Sequence, residues 1–245
     1  MTFEPLPIVC LPHAGAGASS FFPWRQLTPP GVELLTLQPP GREERADEEP
    51  HHDVHEAVQA LLPDLMARVA NRSSLVLFGH SLGAVLAYEL ARAVEERTEL
   101  TVLRVFVSGS PGPARGRGGR SAALDDDEFV ARVEELAGYR HPAFEYAELR
   151  EVILPTLRAD VAMHEAYQPL ADTPIQAPIT CLRGADDHLV SPEDVAAWRT
   201  ATVSGCRFVE MSGGHMYLTD SAPRLLQIMA DQLELDPARL TGSEA

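Results

Sequence analysis

Apolar positions along this chain follow two rhythms. Short unbroken runs recur at Leu6 to Leu11, Val32 to Leu37, Leu75 to Phe78, Thr101 to Ser108, Pro178 to Arg183 and Arg207 to Met211. Each is brief and bounded by turn-forming residues, and so reads as a buried strand. Between them the spacing becomes helical. Val54, Val58, Leu61, Leu62, Leu65, Met66 and Val69 predict an amphipathic helix over 53–70, bent near Pro63. Helical stretches are also expected from Phe21, directly after Ser81, over 195–202 and over 222–235. Strand alternating with helix predicts an α/β chain with a mostly parallel sheet and helices on both faces.

One stretch breaks the alternation. From 121 to 168 the pattern is helical without a strand. Phe129, Val130, Val133 and Leu136 form one expected stripe. Leu149, Val152, Ile153, Leu157, Val161 and Met163 form another, broken by Pro155. The expected organisation is a single domain over 1–245, with a helical lid insertion over about 112–172. The run from Pro111 to Arg120 reads as a solvated hinge.

The strand ending at Phe78 runs into Gly79-His80-Ser81-Leu82-Gly83, and a helix-forming stretch follows at once. This order matters more than the five letters. A serine on a tight strand-to-helix turn is pushed out over the sheet end, with the helix's N–H groups beside it. Side chains at Gly79 or Gly83 would collide with neighbouring backbone. The turn requires an acid and then a histidine later in the chain. Both come in that order, just after strands: Asp187, preferred over the adjacent Asp186, and then His215, behind two glycines. Ser81 is thus the candidate nucleophile, His215 its base and Asp187 the residue that orients the imidazole. The candidate oxyanion donors are the backbone N–H groups of Leu82 and of Ala14, the latter in the small-residue loop after the first strand.

Composition narrows the reading only slightly. The net charge is −16 over 245 residues, which argues against a nucleic-acid partner. No apolar run is long enough for a membrane span, and the N-terminus does not read as a signal peptide. Cys10, Cys181 and Cys206 read as buried thiols of a cytoplasmic protein. His51 and His55 stand four apart, but no third ligand cluster is nearby, so they read as a solvated helix start and no metal or cofactor is expected.

These residues predict acyl transfer to serine, without choosing among ester, amide and thioester. Five stretches resemble the type II, editing thioesterases of polyketide synthase and nonribosomal peptide synthetase pathways, within the α/β-hydrolase superfamily. They are Pro12 to Gly15, Pro40 to Glu43 with Arg45, Gly79 to Gly83 with Ala87 to Leu90, Leu157 to Asp160 with Glu165 and Tyr167, and Gly213 to His215. One departure is Ala16, where that family usually has glycine. The resemblance implies an α/β-hydrolase fold and hydrolysis of stalled or aberrant acyl groups from the phosphopantetheine arm of acyl or peptidyl carrier proteins. Small acyl thioesters such as acyl-CoA would also serve. Nothing in the sequence demands more than a monomer, and Arg115, Arg117 and Arg120 are one candidate for the basic surface that docking of an acidic carrier would need. The alternatives are a carboxylesterase or acyltransferase of the same fold, or a non-catalytic carrier-binding partner.

Overall fold

The computed structural model describes residues 4–116, 119–138 and 142–233, without the side chains of residues 136, 137 and 142. Six strands form one sheet: β1 (Leu6–Leu11), β2 (Val32–Thr36), β3 (Ser74–His80), β4 (Thr101–Ser108), β5 (Ile179–Gly184) and β6 (Cys206–Met211). Their order is β2-β1-β3-β4-β5-β6, and every neighbouring pair is parallel. The helices are α1 (Phe22–Arg25), α2 (Val54–Arg68), α3 (Leu82–Arg97), α4 (Asp126–Ala137), α5 (Ala147–Ala166), α6 (Pro192–Ala196) and α7 (Ala222–Gln232). The expectation of an α/β sheet with helices on both faces is met. The end of the expected C-terminal helix, beyond 233, lies outside the described residues.

The strands divide their side chains by the period of two. Val9, Leu11, Leu75, Leu77, Val105 and Val107 pack on one side with α2 and α3. Ile8, Cys10, Val76, Phe78 and Phe106 pack on the other with α1 and α7. Strand order reverses at β1, whose neighbours are β2 and β3. The loops that leave β1 and β3 therefore diverge at the carboxyl edge of the sheet, where such folds open a crevice.

Local signals account for the helix starts. Asp53 caps α2 by accepting from the His55 and Glu56 N–H groups. Ser191 and Asp194 form a reciprocal capping box, so α6 begins before the expected 195. Every residue of α3 from Leu82 to Val94 is buried, because this helix is covered on several sides.

The insertion between β4 and β5 departs from expectation in two ways. First, α5 runs unbroken through Pro155. Pro155 and Glu151 are both exposed, so water can serve the carbonyl that proline leaves without an N–H partner. Second, its inward face keeps only part of the expected stripe: Leu157 and Met163 are buried, and Ile153 and Val161 are half-buried against the α4 cluster. Leu149 and Val152 are 45% and 72% exposed, while Thr156, Asp160 and His164 are buried beside Leu157 and Met163. Apolar spacing misses Thr156 and Asp160 because each meets a polar backbone group of a loop beneath α5, the Gly41 carbonyl and the Gly15 N–H. The α4 stripe holds at Phe129 and Val130, which are buried with Phe144, Leu154 and Leu157, and at Val133, which packs against them; the side chain of Leu136 lies outside the described residues.

The last turn of α5 is tied down by a buried carboxylate. Glu89 of α3 accepts a hydrogen bond from the Tyr167 hydroxyl, and Arg92 lies 3.4 Å from its other oxygen. His55 of α2 contacts the Gln168 carbonyl at 2.9 Å. Removing only the hydroxyl, in Tyr167→Phe, leaves Glu89 without its closest donor and should cost roughly 1–3 kcal/mol. Urea unfolding of the two proteins measures this.

Candidate active site

Ser81 has φ +55° and ψ −116°, a conformation that serine adopts only under constraint. The flanking glycines show the constraint. A Cβ at Gly79 would lie 1.9 Å from the Gly83 carbonyl oxygen, and one at Gly83 would lie 2.2 Å from the Leu11 carbonyl oxygen. The Ser81 N–H donates to the Ser108 carbonyl at 2.8 Å, fixing the turn to the end of β4. α3 opens at Leu82, so that residue's N–H has no partner within the helix.

His215 comes to the same edge from the loop after β6. Its Nδ1 lies 2.8 Å from Asp187 Oδ2. The other Asp187 oxygen accepts from the Leu189 and Val190 N–H groups at 2.9 and 3.2 Å. Burial opposes ionisation of Asp187, but the His215 hydrogen bond, its charge and the two backbone donors together hold the carboxyl below the usual range. Asp186 and His188 are exposed. The acid and histidine loops meet closely, since a Cβ at Gly184 would lie 2.3 Å from the Gly214 carbonyl oxygen. With Nδ1 committed to Asp187, Nε2 is the imidazole nitrogen left for proton transfer.

The loop after β1 forms a turn in which the Ala16 N–H donates to the His13 carbonyl at 3.0 Å. Gly15 within it has φ +75°. Among the described residues the Ala14 N–H has no acceptor. The two family-like stretches around Arg42 and Asp160 converge on this loop. Arg42 Nη1 and Nη2 donate to the two Asp160 oxygens at 2.5 and 2.8 Å, and Nη1 also reaches the Ala16 carbonyl at 3.1 Å. The Gly15 N–H donates to Asp160 Oδ2 at 2.8 Å.

Several side chains beside Ser81 carry no signal in their spacing. His80 Nδ1 lies 2.8 Å from Ser108 Oγ, which meets the Tyr217 hydroxyl. This buried chain joins the residue before the serine to a residue just past His215. The His80 ring centroid is 5.0 Å from that of His215 and 6.0 Å from that of His13. His80 stands inside the Gly-x-Ser-x-Gly pattern and His13 in the small-residue loop, so both were visible as residues but not as neighbours. His51 and His55 do not behave as a solvated pair: His55 is tied to Gln168, and His51 faces the small cavity lined by Arg42 and Asp160. No group of metal-ligating side chains forms among the described residues.

Residues 6–233 match the family model described as thioesterase domain. The chain belongs to the thioesterase family. This thioesterase is 34% identical over 239 residues to thioesterase PikA5 of Streptomyces venezuelae, covering 94% of this chain and 84% of that one. Its structure is similar to RedJ, a thioesterase from the prodiginine pathway of Streptomyces coelicolor, with TM-score 0.86, 31% identity, and 94% and 86% of the two chains covered. It is also similar to BorB, a type II thioesterase from the borrelidin biosynthetic cluster, with TM-score 0.82, 33% identity, and 96% and 93% covered. The expected resemblance to type II thioesterases and the α/β-hydrolase fold are borne out, and the thioesterase is a serine hydrolase acting on thioesters.

Within this thioesterase, His13 gives a measurable signature. Its Nδ1 is buried without a partner among the described residues. Burial, followed by the nearby charges of His215 and Arg42, lowers its pKa from 6.5 to about 4. Between those two values the unfolded chain takes up a proton that the folded chain refuses, so stability falls as pH drops from 6.5 towards 4. His13→Asn should lose less stability than the parent across that window and match its slope above pH 7, as read from urea midpoints at each pH.

Proposed function

We propose that this thioesterase edits biosynthetic assembly lines by hydrolysing stalled or aberrant acyl groups from the phosphopantetheine arm of acyl or peptidyl carrier proteins. The observation that carries the reading is the strained Ser81 turn beside the His215–Asp187 pair, each at the carboxyl edge of the sheet. Ser81 is the nucleophile. His215 accepts its proton as Oγ attacks the thioester carbonyl, and Asp187 stabilises the imidazolium and holds its tautomer. The Leu82 and Ala14 N–H groups receive the oxyanion, each worth on the order of 3 kcal/mol in comparable sites. The carbon–sulfur bond breaks, and the pantetheine thiol leaves with the proton from His215. Water, activated by the same histidine, then releases the acid from the acyl-serine.

The insertion over about 112–172 is the lid in this reading, since its helix α5 lies over the loops that flank Ser81. Ser81 and His215 are only 6% and 9% exposed, so an acyl-pantetheine arm needs that cover to shift. A cytoplasmic setting fits the three free thiols, and among the described residues no helix is long and apolar enough to cross a membrane. The chain acts as a monomer that meets its carrier transiently.

Replacing the nucleophile gives the direct test. Ser81→Ala should lose roughly ten-thousand-fold in kcat on acyl-carrier thioesters and should lose fluorophosphonate labelling. Asp187→Asn should lose a similar factor in kcat while remaining labelled, only slowly. Normal turnover by Ser81→Ala would overturn the assignment. Preference for a simple oxygen ester over the acyl-carrier thioester would point instead to a carboxylesterase.

Docking of an acidic carrier is assigned to the basic entry of the insertion. Arg115 and Arg120 are exposed there, while Arg117 lies outside the described residues. Neutralising all three should raise KM for carrier-bound substrates several-fold and leave small thioesters unchanged. Equal loss on both substrate types would remove the assignment.

A further inference from the structure

The helix α5 touches the oxyanion loop with chemistry as well as bulk. Leu157 and Asp160, one turn apart, face Gly15 together. A Cβ at Gly15 would lie 2.8 Å from Leu157 Cδ1, and the Gly15 N–H is bound by Asp160 Oδ2. The Asp160 carboxylate and the Arg42 side chain are 2% and 9% exposed, so this is a buried, bidentate ion pair. Arg42 closes the circuit on the far side of the loop through the Ala16 carbonyl. One ion pair thus holds a donor and an acceptor of the same short turn.

The segment from 38 to 43 grips the rest of that loop. Gln38 Oε1 accepts from the Ala18 N–H at 2.8 Å. The Glu43 carboxylate accepts from the Ser19 N–H and hydroxyl. Glu43 itself has φ +51°, the one positive φ besides Ser81 at a non-glycine position among the described residues. Strain at a residue that orients a loop beside a nucleophile is more simply explained by position than by stability. α5 also holds this segment, because the Thr156 hydroxyl donates to the Gly41 carbonyl at 2.7 Å.

We propose that Asp160 and Arg42 are positioning residues for the oxyanion hole, and that the Ala14 N–H is aimed at Ser81 only while α5 is docked. The turn from His13 to Ala16 has its closing hydrogen bond made internally, which leaves the Gly15 N–H as the amide that selects its orientation. Asp160 takes that N–H and so fixes the peptide plane next to Ala14. Undocking α5 withdraws both Asp160 and Leu157 from the loop. The insertion therefore does more than cover the serine: its closed position assembles the second oxyanion donor, and an open enzyme has an exposed nucleophile with half a hole. This suppresses turnover until a substrate is enclosed.

The inference rests on Ser81 being the nucleophile, and its test separates the two ideas. A short-chain acyl thioester of N-acetylcysteamine serves as substrate, so that carrier docking plays no part. A boronic acid, which forms a tetrahedral adduct on the serine, reports the oxyanion hole in isolation. Asp160→Asn should lower kcat about 30-fold, change KM less than about twofold and weaken boronate binding by the same factor as kcat. Arg42→Lys keeps the charge against Asp160 but loses the fork, and serves as the milder arm if Asp160→Asn folds poorly. It should show the same pattern at about 5-fold. The double variant should lose no more than Asp160→Asn alone, because the pair acts as one unit.

Lower urea stability in both variants with unchanged kcat and boronate affinity would overturn the proposal and leave a structural ion pair. A raised KM with unchanged kcat would also overturn it, in favour of a substrate contact. Ser81→Ala in the same assay reports the parent reading: if it turns over normally, the nucleophile assignment falls. If it is inert while Asp160→Asn and Arg42→Lys retain full kcat, only the positioning role falls.

Discussion

The backbone of Ser81, held at φ +55°, is the constraint around which the molecule is arranged. A conformation of this kind costs on the order of 1–3 kcal/mol and persists only where its surroundings leave no alternative. Here they leave none. Gly79 and Gly83 are in contact with backbone carbonyls from inside and across the turn, and the Ser81 N–H is tied to the end of β4. The helix that follows is buried along its first 13 residues, so it cannot rotate to relax the turn. The strain is supported by the cores on both faces of the sheet.

The second constraint is electrostatic. Asp160 is almost fully buried, and its charge is matched by two Arg42 donors and one backbone N–H. A buried ion pair of this kind is weak evidence for stability, since its desolvation offsets most of its attraction. An apolar pair of similar volume would hold α5 to the body at least as well. It could not direct an N–H group or a carbonyl in the loop beneath. The charged pair is better understood through the geometry that it imposes than through the free energy that it contributes.

Much of this was legible in the chain. All six strands were readable because buried parallel strands are short continuous apolar runs, and because glycines and prolines punctuate them. The contact of His215 with Asp187, and the strained turn at Ser81, were foreshadowed because such a turn restricts what may precede and follow it. The inward face of α5 was only partly legible. Periodicity finds faces that meet apolar surfaces, and Thr156 and Asp160 meet polar backbone groups of the loops beneath. The chain of His80, Ser108 and Tyr217 was also hidden, since two strand ends and the segment after β6 bring those residues together and no local pattern links them. Arg42 and Asp160 lie in family-like stretches, 118 residues apart, but their contact emerges only from the fold.

The mixture of contacts under α5 has a mechanical consequence for the proposed editing role. Apolar contacts, at Leu157 and Met163, resist separation in proportion to the area that water would regain. Polar ones, at Thr156, Asp160 and Tyr167, contribute about 1 kcal/mol each on balance, because their parted groups bind water instead. Yet the polar contacts are directional, so they fix register far more tightly than their net strength suggests. A helix held this way can leave the body at modest cost and return to one position only. That combination suits a cover that must admit a tethered acyl group and then rebuild the same oxyanion hole at each turnover.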